Sequence, residues 1–313
     1  MNSLYSSHTS ERPLLCSIRI YAHEMIQEEK TIQERVRDEL AQFMELRFEP
    51  SRELGVLLVS WVMVVGGLYL AFQVVTTEKV ALNFILYGPV SLLLLGTLVP
   101  LLYITRIKGD LLNYIGVTRE YWFPSIAIGI VLGANTYINT LANIQLPALE
   151  NLIPLIAMAL TVGLFEALFF RGWMQLGFER AFGAIPAIIL GAGFYALYHI
   201  GYGMNWGEMW FLFTVGIQFS LAFRVTKNIL VLWPFYTWIG GVYSNLEDGL
   251  IMPFEATYGF VIILVLMIAS IIGTYIKQHS VAQKESTNSR VTAQHTQNSY
   301  TNNTLTRHKL NLK

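Results

Sequence analysis

The chain has 313 residues, of which 54% are hydrophobic and 13% are charged, and its formal net charge is zero. Soluble domains carry about 25% charged residues, so this composition argues against a soluble protein, and the lack of net positive charge gives no indication of nucleic-acid binding. The single cysteine, Cys16, excludes an internal disulfide framework and a cysteine-based zinc site.

Residues 1–53 are predicted to form a cytoplasmic N-terminal arm. They contain no short apolar run before a small-residue cleavage site, so we expect no cleavable signal peptide and insertion directed by the first span. Between residues 23 and 48 the apolar side chains recur at roughly helical spacing. This pattern predicts an amphipathic helix that lies on the membrane or packs on the bundle.

Eight apolar runs follow, each of about the length that a helix needs to cross a bilayer. They cover residues 54–76, 83–104, 122–142, 153–173, 183–200, 208–223, 229–245 and 258–276. Lys and Arg cluster at alternate ends of these runs, and Lys79 stands alone on the opposite side, a distribution that predicts cytoplasmic termini. The predicted fold class is therefore all-α: a polytopic membrane helix bundle of about eight transmembrane helices with both termini cytoplasmic.

The predicted organisation has three parts, which are the arm, an eight-span membrane domain at 54–276 and a polar tail at 277–313. The tail is rich in Ser, Thr, Asn and Gln and poor in large apolar residues, so we expect it to be disordered in the cytoplasm. The localisation that follows is multi-pass and integral to a membrane, the plasma membrane if the source is prokaryotic.

Ionisable residues are rare inside these runs. A charged side chain in a bilayer costs at least about 2.5–3.5 kcal/mol, so it should face the protein interior and have a partner. The interior of the runs holds one acid, Glu166, one histidine, His199, and one strong base, Arg171, near the end of its run. In one interpretation Glu166 and His199 bond each other and hold two helices together. In the other, Glu166 activates a water that His199 positions.

The depth of the two residues sets a condition on the second interpretation. If the fourth run ended at residue 173, Glu166 and His199 would differ in depth by about 10 Å. We therefore predict that the fourth helix continues to about Phe178, which brings Glu166 near its middle. The "GYG" after His199 is predicted to end or bend the fifth helix.

The segments "EALFFRG" and "YALYHIGYG" resemble motifs of the CPBP family of intramembrane proteases, which includes the type II CAAX prenyl endopeptidases and the Abi bacteriocin self-immunity proteins. The likeness covers about residues 80–245. The family's E-E-x-x-x-R motif falls on Glu166 and Arg171, with Ala167 at the second Glu, and its F-x-x-x-H motif falls on Tyr195 and His199. The resemblance implies an intramembrane endopeptidase in which Glu166 activates water and His199 assists, with Arg171 and Tyr195 in support.

The family's third motif, H-x-x-x-N, is altered. With Thr226 and Asn228 in register, its His falls on Tyr236 and its Asn on Gly240, whereas a shifted register places Asn245 in the Asn role. Tyr236 could donate a hydrogen bond to an oxyanion. The alternative is that "WPFYTWIGG" serves as an interfacial aromatic belt and a close helix contact.

Arg171 lacks the carboxylate that the family places four residues before it. On an α-helix Glu166 lies about 140° away from it, so we expect Arg171 either to reach the cytoplasmic headgroups or to pair with another element. As a simpler alternative, Arg171 only marks the cytoplasmic side of the membrane.

The resemblance leaves the cofactor and the activity open. One histidine and one acid hardly supply three zinc ligands, so a metal-independent mechanism with no cofactor is favoured, and Glu166 and His199 are the ligands if zinc is used. The expected partners are the lipid bilayer and a membrane-anchored or prenylated peptide, and no nucleic acid. The alternative function is a catalytically inactive CPBP-like membrane scaffold or immunity protein. A transporter is less favoured, because polar residues are not spread over many spans.

Overall fold

The computed structural model describes residues 43–75, 79–105 and 112–278, together with positions 34, 37, 38, 40, 41 and 280. Most of the predicted arm and nearly all of the predicted tail lie outside the described residues, so their predicted amphipathic helix and disorder stay predictions. The helices that follow residue 51 are, in chain order, α1 Arg52–Val74, α2 Val80–Ile104, α3 Trp122–Asn143, α4 Leu149–Phe182, α5 Ala184–Tyr202, α6 Trp206–Thr226, α7 Thr237–Glu247 and α8 Ala256–Gln278.

All of these helices except α7 are long and apolar enough to cross a membrane, which gives seven candidate spans among the described residues. The part of the chain that the structure describes contains no strand. The predicted class, a polytopic all-α membrane bundle, is confirmed. The cytoplasmic location of the termini stays a prediction.

The predicted run at 229–245 is not one continuous helix. Its first part is a 3-10 turn, Ile229–Val231, and α7 begins only at Thr237. The intervening turn contains Pro234, which has no backbone N–H to donate, and the Asn228 side chain accepts a hydrogen bond from the Leu230 amide, a local alternative to the helical pattern. About eight continuous spans were predicted, and this segment accounts for the difference from seven.

Helix α4 is 34 residues long and ends at Phe182, so the prediction that it continues to about Phe178 is confirmed. Its middle, Ala167–Gln175, is π-helical, and every residue of that stretch is buried. Shorter irregularities occur elsewhere, since α1 ends in a π-helical turn at Leu70–Val74 and most of α2 is π-helical at Leu86–Leu98. Helix α5 tightens into a 3-10 turn at Tyr198–Tyr202, and Gly203, with φ of 84°, ends it as predicted.

The core of the bundle surrounds α4. Its aromatic side chains Phe165, Phe169, Phe170 and Trp173 are fully buried and contact one another edge to face or stacked. The outer faces of α3 and α8 are apolar yet exposed, which fits contact with lipid rather than water. Helix α4 is thus the central element, and the residues it carries at mid-length are shielded by its neighbours.

An ionic cluster joins the end of α4 to the start of α1. Arg180 of α4 lies 2.7 Å from a Glu53 oxygen of α1, and its guanidinium carbon lies 3.6 Å from the centre of the Tyr114 ring. The Tyr114 hydroxyl donates to the other Glu53 oxygen at 2.5 Å. Burial, with this hydrogen bond as a second cause, raises the pKa of Tyr114 to about 12, so the phenol stays protonated and keeps donating at any physiological pH.

Helix α3 packs closely on residues 229–236, the stretch before α7 that is not α-helical, through two glycines one turn apart. A Cβ added to Gly129 would lie 2.9 Å from the Val231 carbonyl oxygen, and one added to Gly133 would collide with the carbonyl oxygen of Phe235. The neighbouring atoms are backbone, so they cannot rotate away. The Gly-rich face of α3 therefore sets the position of the chain on either side of Pro234.

Gly133→Ala is expected to lower the free energy of unfolding by about 1–3 kcal/mol, because the added methyl forces backbone atoms apart. Thermal unfolding in detergent measures this change. Gly66→Ala on α1 is the matched control, since no atom lies within 4 Å of the added Cβ and alanine is the better helix former. Equal unfolding temperatures for the two variants would show that α3 does not hold this contact.

Candidate active site

Glu166 lies near the middle of α4, on the side that faces α5. The residue is half-buried, and its Oε1 atom accepts a hydrogen bond from the Tyr198 hydroxyl. Two residues that precede it on the same helix contact the chain around the start of α7. The Trp233 indole donates to the Leu160 carbonyl at 2.9 Å, and Gly163 lies against Thr237. The acid therefore points into the protein, between α5 and the chain that leads into α7, and not toward lipid.

The polar face of α5 is built by residues at positions i, i+3, i+4 and i+7, which are Tyr195, Tyr198, His199 and Tyr202. Such spacing places all four on one side of a helix. His199 is 7% exposed, and its Nδ1 lies 3.0 Å from the Tyr195 carbonyl oxygen. A carbonyl can only accept, so this contact assigns the proton to Nδ1 and leaves Nε2 as the acceptor of the neutral ring.

Glu166 and His199 are connected through Tyr198. Among the described residues no hydrogen bond joins the carboxylate directly to the imidazole, which disagrees with the interpretation that the two simply bond each other. Instead the Tyr198 ring centre lies 4.0 Å from that of His199 while its hydroxyl reaches Glu166. The Tyr198 side chain thus contacts both of the predicted residues, Glu166 and His199.

Two further phenols continue this contact away from Glu166. The Tyr202 ring centre lies 5.7 Å from that of Tyr198 and 6.0 Å from that of Tyr87 on α2. The backbone of Tyr202 is held as well, because its carbonyl accepts from the Gln73 amide at 3.1 Å. Sequence reasoning missed Tyr198, Tyr202 and Tyr87. The spacing of "YALYHIGY" carried the signal for the first two.

Arg171 is 1% exposed and pairs with α6 and α5. Its Nη1 donates to the Ser220 hydroxyl at 2.6 Å, and its guanidinium carbon lies 4.9 Å from the centre of the Tyr195 ring. Two outcomes were predicted for this side chain. The structure shows that it pairs with another element and does not extend toward the lipid headgroups. A second polar side chain, Gln175, donates to the Ser220 carbonyl at 3.0 Å, so the same residue of α6 serves both.

The predicted angle of 140° between Glu166 and Arg171 was wrong for a geometric reason. That angle assumes α-helical spacing, whereas the chain after Glu166 is π-helical, and in a π-helix residues five apart are one turn apart. The two side chains still form no ion pair among the described residues. Each has its own neutral partner, a tyrosine hydroxyl for the acid and a serine hydroxyl for the base.

The structure does not bring Tyr236 or Asn245 to Glu166. Tyr236 is 8% exposed, and its ring centre lies 5.0 Å from that of Phe219. Asn245 lies on α7 and donates to the Gly241 carbonyl one turn earlier at 2.6 Å. Tyr236 approaches the site through Phe219, whose ring centre also lies 5.9 Å from that of Tyr195.

Asn228 has a structural role. Its side-chain amide donates to the carbonyls of Thr118 and Glu120 at 2.9 and 3.0 Å, so it ties the segment before α3 to the end of α6.

The donors present do not form a three-ligand metal site. In the described ranges no group of three or more His, Cys, Asp or Glu side chains could hold a metal ion. Glu166 and His199 supply two donors at most, whereas catalytic zinc sites use three protein ligands. The residues that the structure describes therefore do not fit the zinc alternative.

Residues 148–239 match the family model described as type II CAAX prenyl endopeptidase Rce1-like. The matched range runs from the start of α4 into α7 and includes Glu166, Arg171, His199 and Tyr236. The chain matches neither a curated protein nor a solved structure. The family match confirms the resemblance that the motifs indicated, over a shorter range than the predicted 80–245.

Proposed function

We propose, from the premise that this integral membrane protein is a CPBP family member through its Rce1-like segment at 148–239, that it is an intramembrane endopeptidase. Glu166 would activate a water that hydrolyses a membrane-proximal peptide bond. One observation carries this proposal: Glu166, the acid at the middle of α4, is half-buried and accepts from Tyr198 through Oε1, and it forms no ion pair among the described residues.

The geometry supports a direct mechanism. The Tyr198 hydroxyl donates to Glu166 Oε1, so Oε2 is the oxygen that takes a proton from water. The water oxygen attacks the peptide carbonyl carbon in the same step. When the tetrahedral intermediate collapses, the carbon–nitrogen bond breaks and Glu166 returns the proton to the amine. The free Nε2 of His199 is suited to accept a hydrogen bond from the same water.

Tyr236 is the first candidate for the oxyanion donor, and Asn245 is the alternative. Tyr236 would have to turn from Phe219 toward the oxyanion, and Asn245 would have to leave Gly241. We propose a membrane-anchored peptide as the substrate, prenylated where the host prenylates proteins, because a lipid anchor would concentrate it in the bilayer.

The second candidate function is a catalytically inactive scaffold or an immunity-type protein that binds a partner. The observation that favours it is the loss of the family's Glu–Arg pair in the first motif. Ala167 stands at the position of the family's second Glu, and Arg171 is bound to Ser220 and Tyr195 instead of a carboxylate. Such exchanges would preserve the fold without preserving catalysis.

A cleavage assay separates the two functions. The full chain in liposomes is given membrane-anchored peptides with and without a prenyl group, and His199→Ala is compared with wild type. An endopeptidase should cleave at least one peptide, and His199→Ala should lower the rate by about 100-fold. If wild type cleaves none of them, and Glu166→Gln and His199→Ala both lose binding of a partner, the scaffold function is correct.

Removal of metal is expected to leave cleavage unchanged. Glu166 and His199 supply only two protein ligands, too few to hold a catalytic zinc tightly. The rate is measured before and after dialysis against a strong chelator, with a known zinc protease treated in parallel as the control. Loss of activity that added zinc restores would overturn the metal-independent mechanism.

A further inference from the structure

The hydroxyl of Tyr198 makes the one hydrogen bond that the structure gives to the Glu166 carboxylate among the described residues. We propose that Tyr198 is a positioning residue, which fixes the carboxylate so that Oε1 is held by α5 and Oε2 faces the water. This inference rests on the proposed endopeptidase function. It assigns a role to a residue that the family motifs do not include in this sequence.

The surroundings of Tyr198 make its ring rigid. The side chain is 1% exposed, and its ring centre lies 4.7 Å from that of Phe170 and 4.0 Å from that of His199. Phe165 and Tyr195 close the remaining sides at 6.3 and 5.7 Å. A ring enclosed in this way cannot rotate, so the position of its hydroxyl is set by packing. Such support is what keeps a reacting group in place to a fraction of an ångström.

The Tyr202 ring gives this position a second support. Its centre lies 5.7 Å from that of Tyr198 and 6.0 Å from that of Tyr87, so the packed rings extend from α5 to α2. The effect of removing a hydroxyl should therefore be largest at Tyr198, which bonds Glu166 directly, and smaller at Tyr202.

Tyr198→Phe keeps the ring and removes only the donor. We expect kcat for peptide cleavage to fall by about 10- to 100-fold, the range for loss of a hydrogen bond to a charged group, with KM within about twofold of wild type. Tyr202→Phe should lower kcat by less than tenfold. Tyr137→Phe is the matched control, because that phenol is 44% exposed on α3, away from the site, and its removal should leave both constants unchanged.

A double-mutant cycle separates positioning from a general packing role. Glu166→Asp shortens the acid by one methylene, which removes its carboxylate from the reach of Tyr198. In that background Tyr198→Phe should cost less than twofold in kcat, since the bond is already lost. A residue that only supports the fold would cost the same factor in both backgrounds, and that result would overturn the inference.

The remaining outcomes are also decisive. If Tyr198→Phe cleaves like wild type while Glu166→Gln does not, the positioning role is wrong and the proposed function stands. If wild type cleaves nothing, the proposed function fails and the positioning role fails with it. If Tyr198→Phe does not fold, the cycle is carried out with Tyr202→Leu, which removes the ring that packs against Tyr198, and an equal loss of kcat in both backgrounds would overturn the inference.

Discussion

Glu166→Gln is expected to lower peptide cleavage by about 10²- to 10⁴-fold, the contribution typical of a general base. Glutamine has nearly the same shape, and its carbonyl oxygen can still accept the hydrogen bond from Tyr198. It cannot take a proton from water. The loss should therefore appear in kcat, with the unfolding temperature in detergent close to that of wild type.

The matched control for this variant is Glu150→Gln on the same helix. Glu150 lies in the exposed first turn of α4, so the same change there removes a charge without touching the site. We expect its cleavage rate to equal that of wild type. A Glu166→Gln protein that cleaves at the wild-type rate would remove the basis of the proposed mechanism, whereas equal losses in both variants would point to a general effect of charge.

Arg171→Lys is expected to lower the free energy of unfolding by about 2–3 kcal/mol, although it keeps the charge. The guanidinium lies over the Tyr195 ring and donates to Ser220, and an ammonium cannot make both contacts with the same planar geometry. Lysine is also more strongly hydrated, so it is more costly to bury at a site that is 1% exposed. Thermal or denaturant-induced unfolding in detergent measures the difference.

Arg52→Lys serves as the control for this prediction. Arg52 is exposed at the start of α1, so exchanging its guanidinium for an ammonium should not change the stability. If Arg171 only marked one side of the membrane, the positive charge alone would matter and Arg171→Lys would unfold at the wild-type temperature. That outcome would show that the contacts with Tyr195 and Ser220 do not stabilise the bundle.

The ionisable residues of the site were predictable because the bilayer excludes nearly all others. Glu166, Arg171 and His199 stand out in apolar runs, since each must have a reason to be there. The continuation of α4 to about Phe178 followed from a different constraint, the depth that Glu166 must share with His199. Both predictions come from the cost of placing charge in hydrocarbon. Charged residues within long apolar runs can be recognised from the sequence alone.

The features that were missed depend on local backbone geometry or on neighbours far away in the chain. Apolar content predicted the length of the run at 229–245 but carried no information about the turn at Pro234. Helical periodicity assumed 3.6 residues per turn, so the wider turn after Glu166 could not be seen. Tyr198 was passed over because an aromatic residue in a membrane helix is usually explained by packing.

The π-helical stretch of α4 allows one helix to have two sets of neighbours. Before it, Glu166 faces α5 and the chain leading into α7. After it, Glu179 lies 2.9 Å from Lys227 just beyond α6, and Arg180 reaches Glu53 of α1. Substitutions in the later half should thus alter the assembly of the bundle without moving the acid. The half that begins α4 thus holds the acid, whereas the half that ends it joins α4 to α1 and to the end of α6.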